Sequence, residues 1–327
     1  MIKKTWKHNL FYFPTTILLL DDDMGFLHEA SKILNENDML VKTFSSSKPF
    51  FHYLAHNAMP INPDELFIKT EVDYYKGSSG IIRTNTNTIY KIAYNSARFN
   101  QVAVVVVDYE MMNETGLDVC KCIKDPNIKK IMLTNKASYK IGIDAMNHKV
   151  IDAFIEKGDI FTNLIDTIKS FEVEYFYDIS KKMQYASGFM NEPFIANLID
   201  IYIKEKKPKE YYLFNNNKSF LFLDEYATPS GVFIESETTI KNIEETLRQD
   251  NISPNIIIPI AERRQIPAGW NPSKYLLGDY EFIMTPCNKI SGNKEDYYYY
   301  YSDDPNILNM DNDRIFPFIE KLNDNIS

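Results

Sequence analysis

The 327-residue chain holds three cysteines, five histidines and two tryptophans, too few of the residues that staple or metallate a fold. Cys120 and Cys122 lack the CxxC spacing of a zinc site, so all three cysteines read as packing residues in a reducing compartment. No histidine occurs beyond residue 187, and that half has neither a glycine-rich phosphate loop nor an HExxH motif, which speaks against an enzyme there. Long hydrophobic runs are missing too. The longest, Ile17 to Leu20 and Val102 to Val107, fall far short of the ~20 residues a membrane-spanning helix needs. The lysine-rich N-terminus is not followed by an apolar segment with a small-residue cleavage site, so the reading is a cytoplasmic protein without membrane contact.

What is present is an ordinary globular balance, 44% hydrophobic and 25% charged, at a length that suits two domains. The net charge of −9 is uneven: residues 161–327 carry about 17 Lys+Arg against about 26 Asp+Glu. A DNA reader gains most of its affinity by neutralising phosphates, so an acidic second half argues against nucleic acid.

Residues 16–160 alternate short apolar strands with amphipathic helices, the pattern of a doubly wound parallel sheet. Strands are expected at Ile17 to Leu20, Met39 to Phe44, Val102 to Val107, Lys130 to Leu133 and Asp152 to Ile155. Helices fall at Met24 to Asn35, Lys48 to Asn57, Leu117 to Ile123 and Ser138 to His148. About 86 residues separate Asp22 from Asp108, where two βα repeats take roughly 50 at the ~30 residues of a βαβ unit. The excess marks an insertion at about 59–100, with a helix carrying Ile89, Ile92, Ala93 and Ala97. It reads first as a surface decoration and second as a partner-binding excursion.

A single apolar stripe from Phe161 through Met183 predicts a long helix, either a rigid connector or dimer seam or a plain buried helix. The domain plan is therefore 1–160, a connecting helix at 161–186, and a smaller α+β domain at 187–327. In the latter, helices are expected at Pro193 to Lys204 and Thr238 to Gln249. Strands are expected at Glu210 to Phe214, Phe220 to Leu223, Gly231 to Ile234 and Asn255 to Ile260. From Pro286 the chain, with five consecutive tyrosines at 297–301, reads as a loop or loosely packed segment, the bolder alternative being aromatic ligand contacts. Asp224, Glu225 and Glu235 fall at strand ends, where solvation is the plainer reading than a site.

In a doubly wound sheet, ligands bind outside the carboxyl ends of the strands. Asp21, Asp22 and Asp23 end the first strand and Asp108 ends the third, so carboxylates converge where they repel one another unless a hard cation joins them. Mg²⁺, which takes one or two carboxylates and several waters, suits such a cluster and leaves room for a phosphoryl oxygen. Thr134 and Lys157, at the ends of the next two strands, can donate to the remaining phosphoryl oxygens. Asp108 is then the nucleophile and forms an acyl phosphate.

The segments ILLLDDD, VVVVDYEMMNETGLDVC, KKIMLTNKAS and IDAFIEKGD resemble the CheY-like response-regulator receiver family over about Thr15 to Asp159, insertion excluded. The resemblance implies that Asp21 and Asp22 are the acidic pair, Asp108 the phosphoacceptor, Thr134 the hydroxyl and Lys157 the lysine of that site. It makes Asp22, Asp108 and the Glu110 backbone carbonyl the metal ligands, with Asp21 acting through water, and Phe154 the aromatic that turns inward on activation. Met112 and Gly158 stand where the family keeps proline, and Asn135 where it keeps a small residue, which implies slower access of phosphodonor or water.

NSARFNQVAVVVVDYEMM, KEYYLFNNNKSFLFLDEY and GVFIESETTIKNIEETL further resemble a group of atypical regulators that share the insertion and the C-terminal output. Those resemblances imply a histidine kinase or phosphotransfer partner, dimerisation on phosphorylation and a place in quorum-sensing or virulence control. They imply no enzyme beyond self-phosphorylation and its reversal. The output then binds a protein, a nucleotide or another copy. Direct DNA binding and an output enzyme are the alternatives, and Arg263 and Arg264 beside Glu262 make a poor recognition helix.

Overall fold

A computed structural model describes residues 9–56, 65, 67–69, 82–84, 91–134, 139–157, 161–184, 192–214, 219–278, 280–308 and 310–326. Its contacts divide the chain into two compact units: Asn9–Asp64 with Lys91–Lys182 and Phe316–Ser327, and Met1–His8 with Glu65–Tyr90 and Met183–Ile315. The division expected near residues 160 and 186 is thus drawn differently. The long helix stays with the first unit as far as Lys182, and the last residues of the chain return to it.

The first unit alternates β1 (Thr16–Leu20), α1 (Met24–Glu36), β2 (Leu40–Phe44), α2 (Ser47–His56), β3 (Val104–Asp108), α3 (Gly116–Cys122), β4 (Lys129–Thr134), α4 (Tyr139–Asn147), β5 (Ala153–Glu156) and α5 (Phe161–Gln184). The five strands are parallel in the order β2-β1-β3-β4-β5. β1 and β3 are buried along their whole length, as strands covered on both faces must be, which is why they read as continuous apolar runs. Of the insertion, an antiparallel pair, Phe67–Lys69 with Ile82–Thr84, is described, and Ser96–Asn100 forms a 3₁₀ turn capped by Asn95. Ile89 lies outside the described residues, as do Asn135 and Gly158.

α5 buries Leu164, Ile168, Glu172, Tyr175 and Phe176 at helical spacing, so its stripe belongs to the core of this unit. The Glu172 carboxylate accepts the Thr15 hydroxyl at 2.6 Å and its backbone N–H at 3.2 Å. Burial pushes that carboxyl up to about 7, against the lowering effect of the Thr15 bonds. The C-terminal helix, Phe318–Ile326, places Phe318 and Leu322 beside Leu40 and Phe99. The buried Arg98 guanidinium donates to the Phe316 carbonyl at 2.7 Å, and Asn325 donates to Asn35 at 3.0 Å.

The second unit contains α6 (Pro193–Lys206), β6 (Glu210–Phe214), β7 (Ser219–Leu223), β8 (Pro229–Ser236), α7 (Glu237–Gln249), α8 (Pro254–Ala261), β9 (Gln265–Pro267), β10 (Met284–Pro286), β11 (Asn288–Ser291) and β12 (Asp296–Ser302). An antiparallel sheet runs β6-β7-β8-β12-β11, and β9 pairs with β10. This is the expected α+β class, with two corrections. Asn255 to Ile260 is helical because Ser253 caps the first turn and Pro254 opens it, signals that decide a short apolar run whose periodicity fits either structure.

The segment from Pro286 is ordered, and the tyrosine run forms an interior strand. Tyr297 and Tyr301 meet Phe194 and Tyr202 of α6 on one face, while Tyr300 stacks on Phe233 at 4.8 Å and 2° on the other. A strand with both faces covered needs no polar alternation.

Candidate active site

Parallel pairing sets the ends of the strands level. Leu20 lies opposite Val107, and Thr134 opposite Glu156, so Asp21, Asp108, Thr134 and Lys157 all emerge at the carboxyl edge. β1 and β3 flank the point where the strand order reverses, the place where such sheets leave a crevice. Asp21, Asp108 and Thr134 are buried there.

The three carboxylates of ILLLDDD take separate tasks. Asp23 caps α1, accepting the N–H groups of Gly25 and Phe26 at 2.8 and 3.1 Å, so it serves the helix. Asp21 accepts the Asp23 N–H at 2.9 Å, and the exposed Asp22 accepts the Met112 N–H at 2.8 Å. One oxygen each from Asp21, Asp22 and Asp108 lies within 4.8 Å of the others, the one such group among the described residues.

The Lys157 ammonium bridges two of them, at 2.7 Å from Asp21 and 2.9 Å from Asp108. The first contact is close without hydrogen-bond alignment, since Asp21 Oδ2 makes no well-directed bond, and we read it as an ion pair. Burial pushes the Asp108 carboxyl up, and the charges of Asp21 and Asp22 add to it, against the lowering hydrogen bond and charge of Lys157. For Lys157, burial is the largest influence and favours the neutral amine. The charges of Asp21 and Asp108 and the hydrogen bond to Asp108 together outweigh it, so its pKa is raised and it stays cationic.

Two residues that the sequence did not single out, Gly116 and Phe26, also shape this edge. Gly116 opens α3 so close to β3 that a Cβ there would stand 2.1 Å from the Asp108 carbonyl oxygen. Its N–H donates to the Tyr109 carbonyl at 3.0 Å, closing the loop in which Glu110 bridges to Thr115. The Phe26 ring lies 4.9 Å beneath the Lys157 ammonium, a cation–π contact that fixes its height. Phe154 is half-buried on β5, its ring against Gly142 of α4, where a Cβ would stand 2.9 Å away. A Gly opening a helix carries no distinctive signal in a single sequence.

Three hard oxygen donors this close, with one ammonium among them, fit a divalent cation with waters completing its shell. No family profile matches the chain, and no curated protein sequence is significantly similar to it. Among solved structures, the Legionella pneumophila response regulator LqsR superposes with a TM-score of 0.74 at 24% identity, covering 98% of this chain and 97% of that one. The chain has the fold of that response regulator.

An adenylate cyclase from Rhodopirellula baltica aligns over 53% of this chain and 96% of its own, at 18% identity and TM-score 0.35. A CheY-like receiver domain protein from Methanospirillum hungatei aligns over 50% and 98%, at 18% and 0.32. Scores that low carry no argument. The receiver-type sheet followed by an α+β unit rests on the whole-chain match and on the strand order itself. Among the described residues, no helix is long and apolar enough to cross a membrane.

Proposed function

We propose that this chain is a cytoplasmic two-component response regulator that accepts a phosphoryl group on Asp108 from a sensor histidine kinase or phosphotransfer protein. The observation that supports the reading best is the bridged triad: Asp21, Asp22 and Asp108 within 4.8 Å, with Lys157 between Asp21 and Asp108, at the switch point of a 2-1-3-4-5 sheet. Asp22, Asp108 and the Glu110 carbonyl would hold Mg²⁺, with Asp21 acting through water. Bound there, the ion supplies charge neutralisation for the incoming phosphoryl oxygens.

The chain's own residues do the rest. A carboxylate oxygen of Asp108 attacks phosphorus, the P–N bond to the donor imidazole breaks, and the freed nitrogen takes its proton from solvent. Lys157 leaves its hydrogen bond with Asp108 for a phosphoryl oxygen, and the Thr134 hydroxyl donates to a second. Phosphorylation biases the arrangement of Thr134 and Phe154 and through it self-association, which in this reading serves quorum-sensing control without a helix-turn-helix output. Enzymatic activity is confined to gaining and losing the phosphoryl group.

Intact-mass measurement and sizing with Mg²⁺ and acetyl phosphate test this. The expected result is one added phosphoryl group and a larger elution size for the wild type, neither being seen in Asp108→Asn. Labelling that survives in Asp108→Asn, or no labelling by acetyl phosphate or a cognate kinase, would overturn the proposal.

A further inference from the structure

The second unit has a cavity of about 460 Å³ where the C-terminus of α6 meets the ends of β7, β8 and β12. That volume is in the range of small-molecule sites. One wall is aromatic: the rings of Tyr202 and Tyr301 lie 5.3 Å apart at 18°, Tyr202 buried and Tyr301 still 43% exposed. Tyr202 is held from behind by Phe222 at 4.5 Å. Tyr301 ends the tyrosine run, and its exposed ring is the part of that run left for a ligand.

The polar lining is biased in sign. Glu205, Asp224 and Asp303 face it against a single ammonium, Lys206. Asp224 is fixed by accepting the N–H groups of Tyr226 and Thr228 at 2.9 and 2.8 Å. α6 is a 14-residue helix whose last turn delivers Glu205 and Lys206, so its partially negative C-terminal end lies at the same place. Burial raises the pKa of both tyrosines, and the charge of Asp303 adds to it at Tyr202 and that of Glu205 at Tyr301, which puts those carboxylates within electrostatic reach of the rings. Ring faces, carboxylates and a helix C-terminus all attract positive charge and repel phosphate.

We propose that this cavity binds a small organic cation, an amine or guanidine on a short carbon body, which would lay that body on Tyr301 and set its charge among Glu205, Asp224 and Asp303. The site lies within one unit and is independent of the chemistry at Asp108.

Calorimetric titration of the full-length protein with agmatine, in excess Mg²⁺, tests it, with AMP as the anionic counterpart. Agmatine is expected to saturate one site and AMP to show no binding. Glu205→Gln with Asp303→Asn should weaken agmatine at least tenfold. Tyr301→Leu should weaken it about tenfold by removing the ring face, and Lys206→Gln should tighten it. Tyr301, Glu205 and Lys206 are exposed, and unchanged thermal midpoints would show that each variant folds. No saturable agmatine binding, tighter binding of AMP, or agmatine binding that survives in Tyr301→Leu and is lost in Asp108→Asn would overturn the proposal.

Discussion

Lys157 and Arg263 each bridge two carboxylates, yet Asp108 at the first bridge and Glu237 at the second are shifted in opposite directions. Arg263 lies 2.9 Å from Glu237 and 3.2 Å from Glu244, and donates also to the Ile260 carbonyl at 2.6 Å. Its hydrogen bond to Glu237 is the largest influence there and holds that carboxyl down to about 2. Lys157 sits at comparable distances, yet Asp108 beside it is pushed upward. The difference lies in surroundings. Burial and two further carboxylates outweigh one ammonium at Asp108, whereas a planar fork meets two part-exposed acids at Arg263. The Arg263 cluster is electrostatically complete, because Lys241 lies 3.5 Å from Glu237 and Arg248 lies 2.8 Å from Glu244 as well. The other has negative charge to spare, which is what the proposed cation site requires.

The largest expected effect comes from removing the cation where it is most needed. Lys157→Ala leaves Asp21, which has no exposed side-chain surface, without its counter-ion, and should cost about 3–5 kcal/mol in urea unfolding with chelator present. Added Mg²⁺ should restore part of that loss. Asp108→Asn should do the opposite: its raised pKa means that ionising Asp108 destabilises the fold, so the neutral amide should shift the urea midpoint upward without metal. If Lys157→Ala is neutral, or Asp108→Asn destabilising, the picture of an overcharged cluster fails.

The strand-end residues of this cluster were legible because five short, mostly apolar strands can be counted, and parallel register then puts whatever follows each strand at one edge. What single residues do at that edge was less legible. Asp21, Asp22 and Asp23 look alike in sequence, and only the cap geometry assigns Asp23 to α1. Gly116 could not be weighed without knowing how closely α3 approaches Asp108. Five identical tyrosines show no alternation, and so gave no sign of a strand whose faces are both covered. The returning C-terminal helix was hidden by its Asn and Asp content, since its buried anchors are Phe318 and Leu322, with Ile319 packed part-buried beside them. α8 illustrates the usual ambiguity of a short apolar run.

A third carboxylate extends the comparison, because Glu172 is buried with a hydroxyl and an amide N–H as its bonded partners. Its folded value of about 7 lies above its ordinary 4.5, so its contribution is fully present below about 4.5 and is lost as pH rises through about 7. At roughly 1.4 kcal/mol per unit, that loss is on the order of 3 kcal/mol. Urea midpoints measured between pH 5 and pH 8 should fall in the wild type by that order and stay flatter in Glu172→Gln. An equal slope in both would show that the carboxyl ionises without cost.

The smallest expected effect belongs to the completed bridge. Arg263→Met should cost about 2 kcal/mol, below the usual range for a buried pair, because Glu237 and Glu244 remain part-exposed and water can take over their solvation. Its pH signature is the mirror image of that at Glu172. A depressed carboxyl contributes above its unfolded value near 4.5 and loses that contribution as pH falls toward about 2, so the wild type should weaken across that window. Arg263→Met, with the largest cause of the Glu237 shift removed and only Tyr298 and Lys241 still lowering it, should show a smaller slope over the same range. Adding Mg²⁺ sharpens the contrast further: it should leave Arg263→Met unrescued while rescuing Lys157→Ala, since two part-exposed glutamates do not converge with a third carboxylate as Asp21, Asp22 and Asp108 do. Equal rescue of both variants would mean that the ion acts through general charge screening, and the distinction between the two bridges would fall.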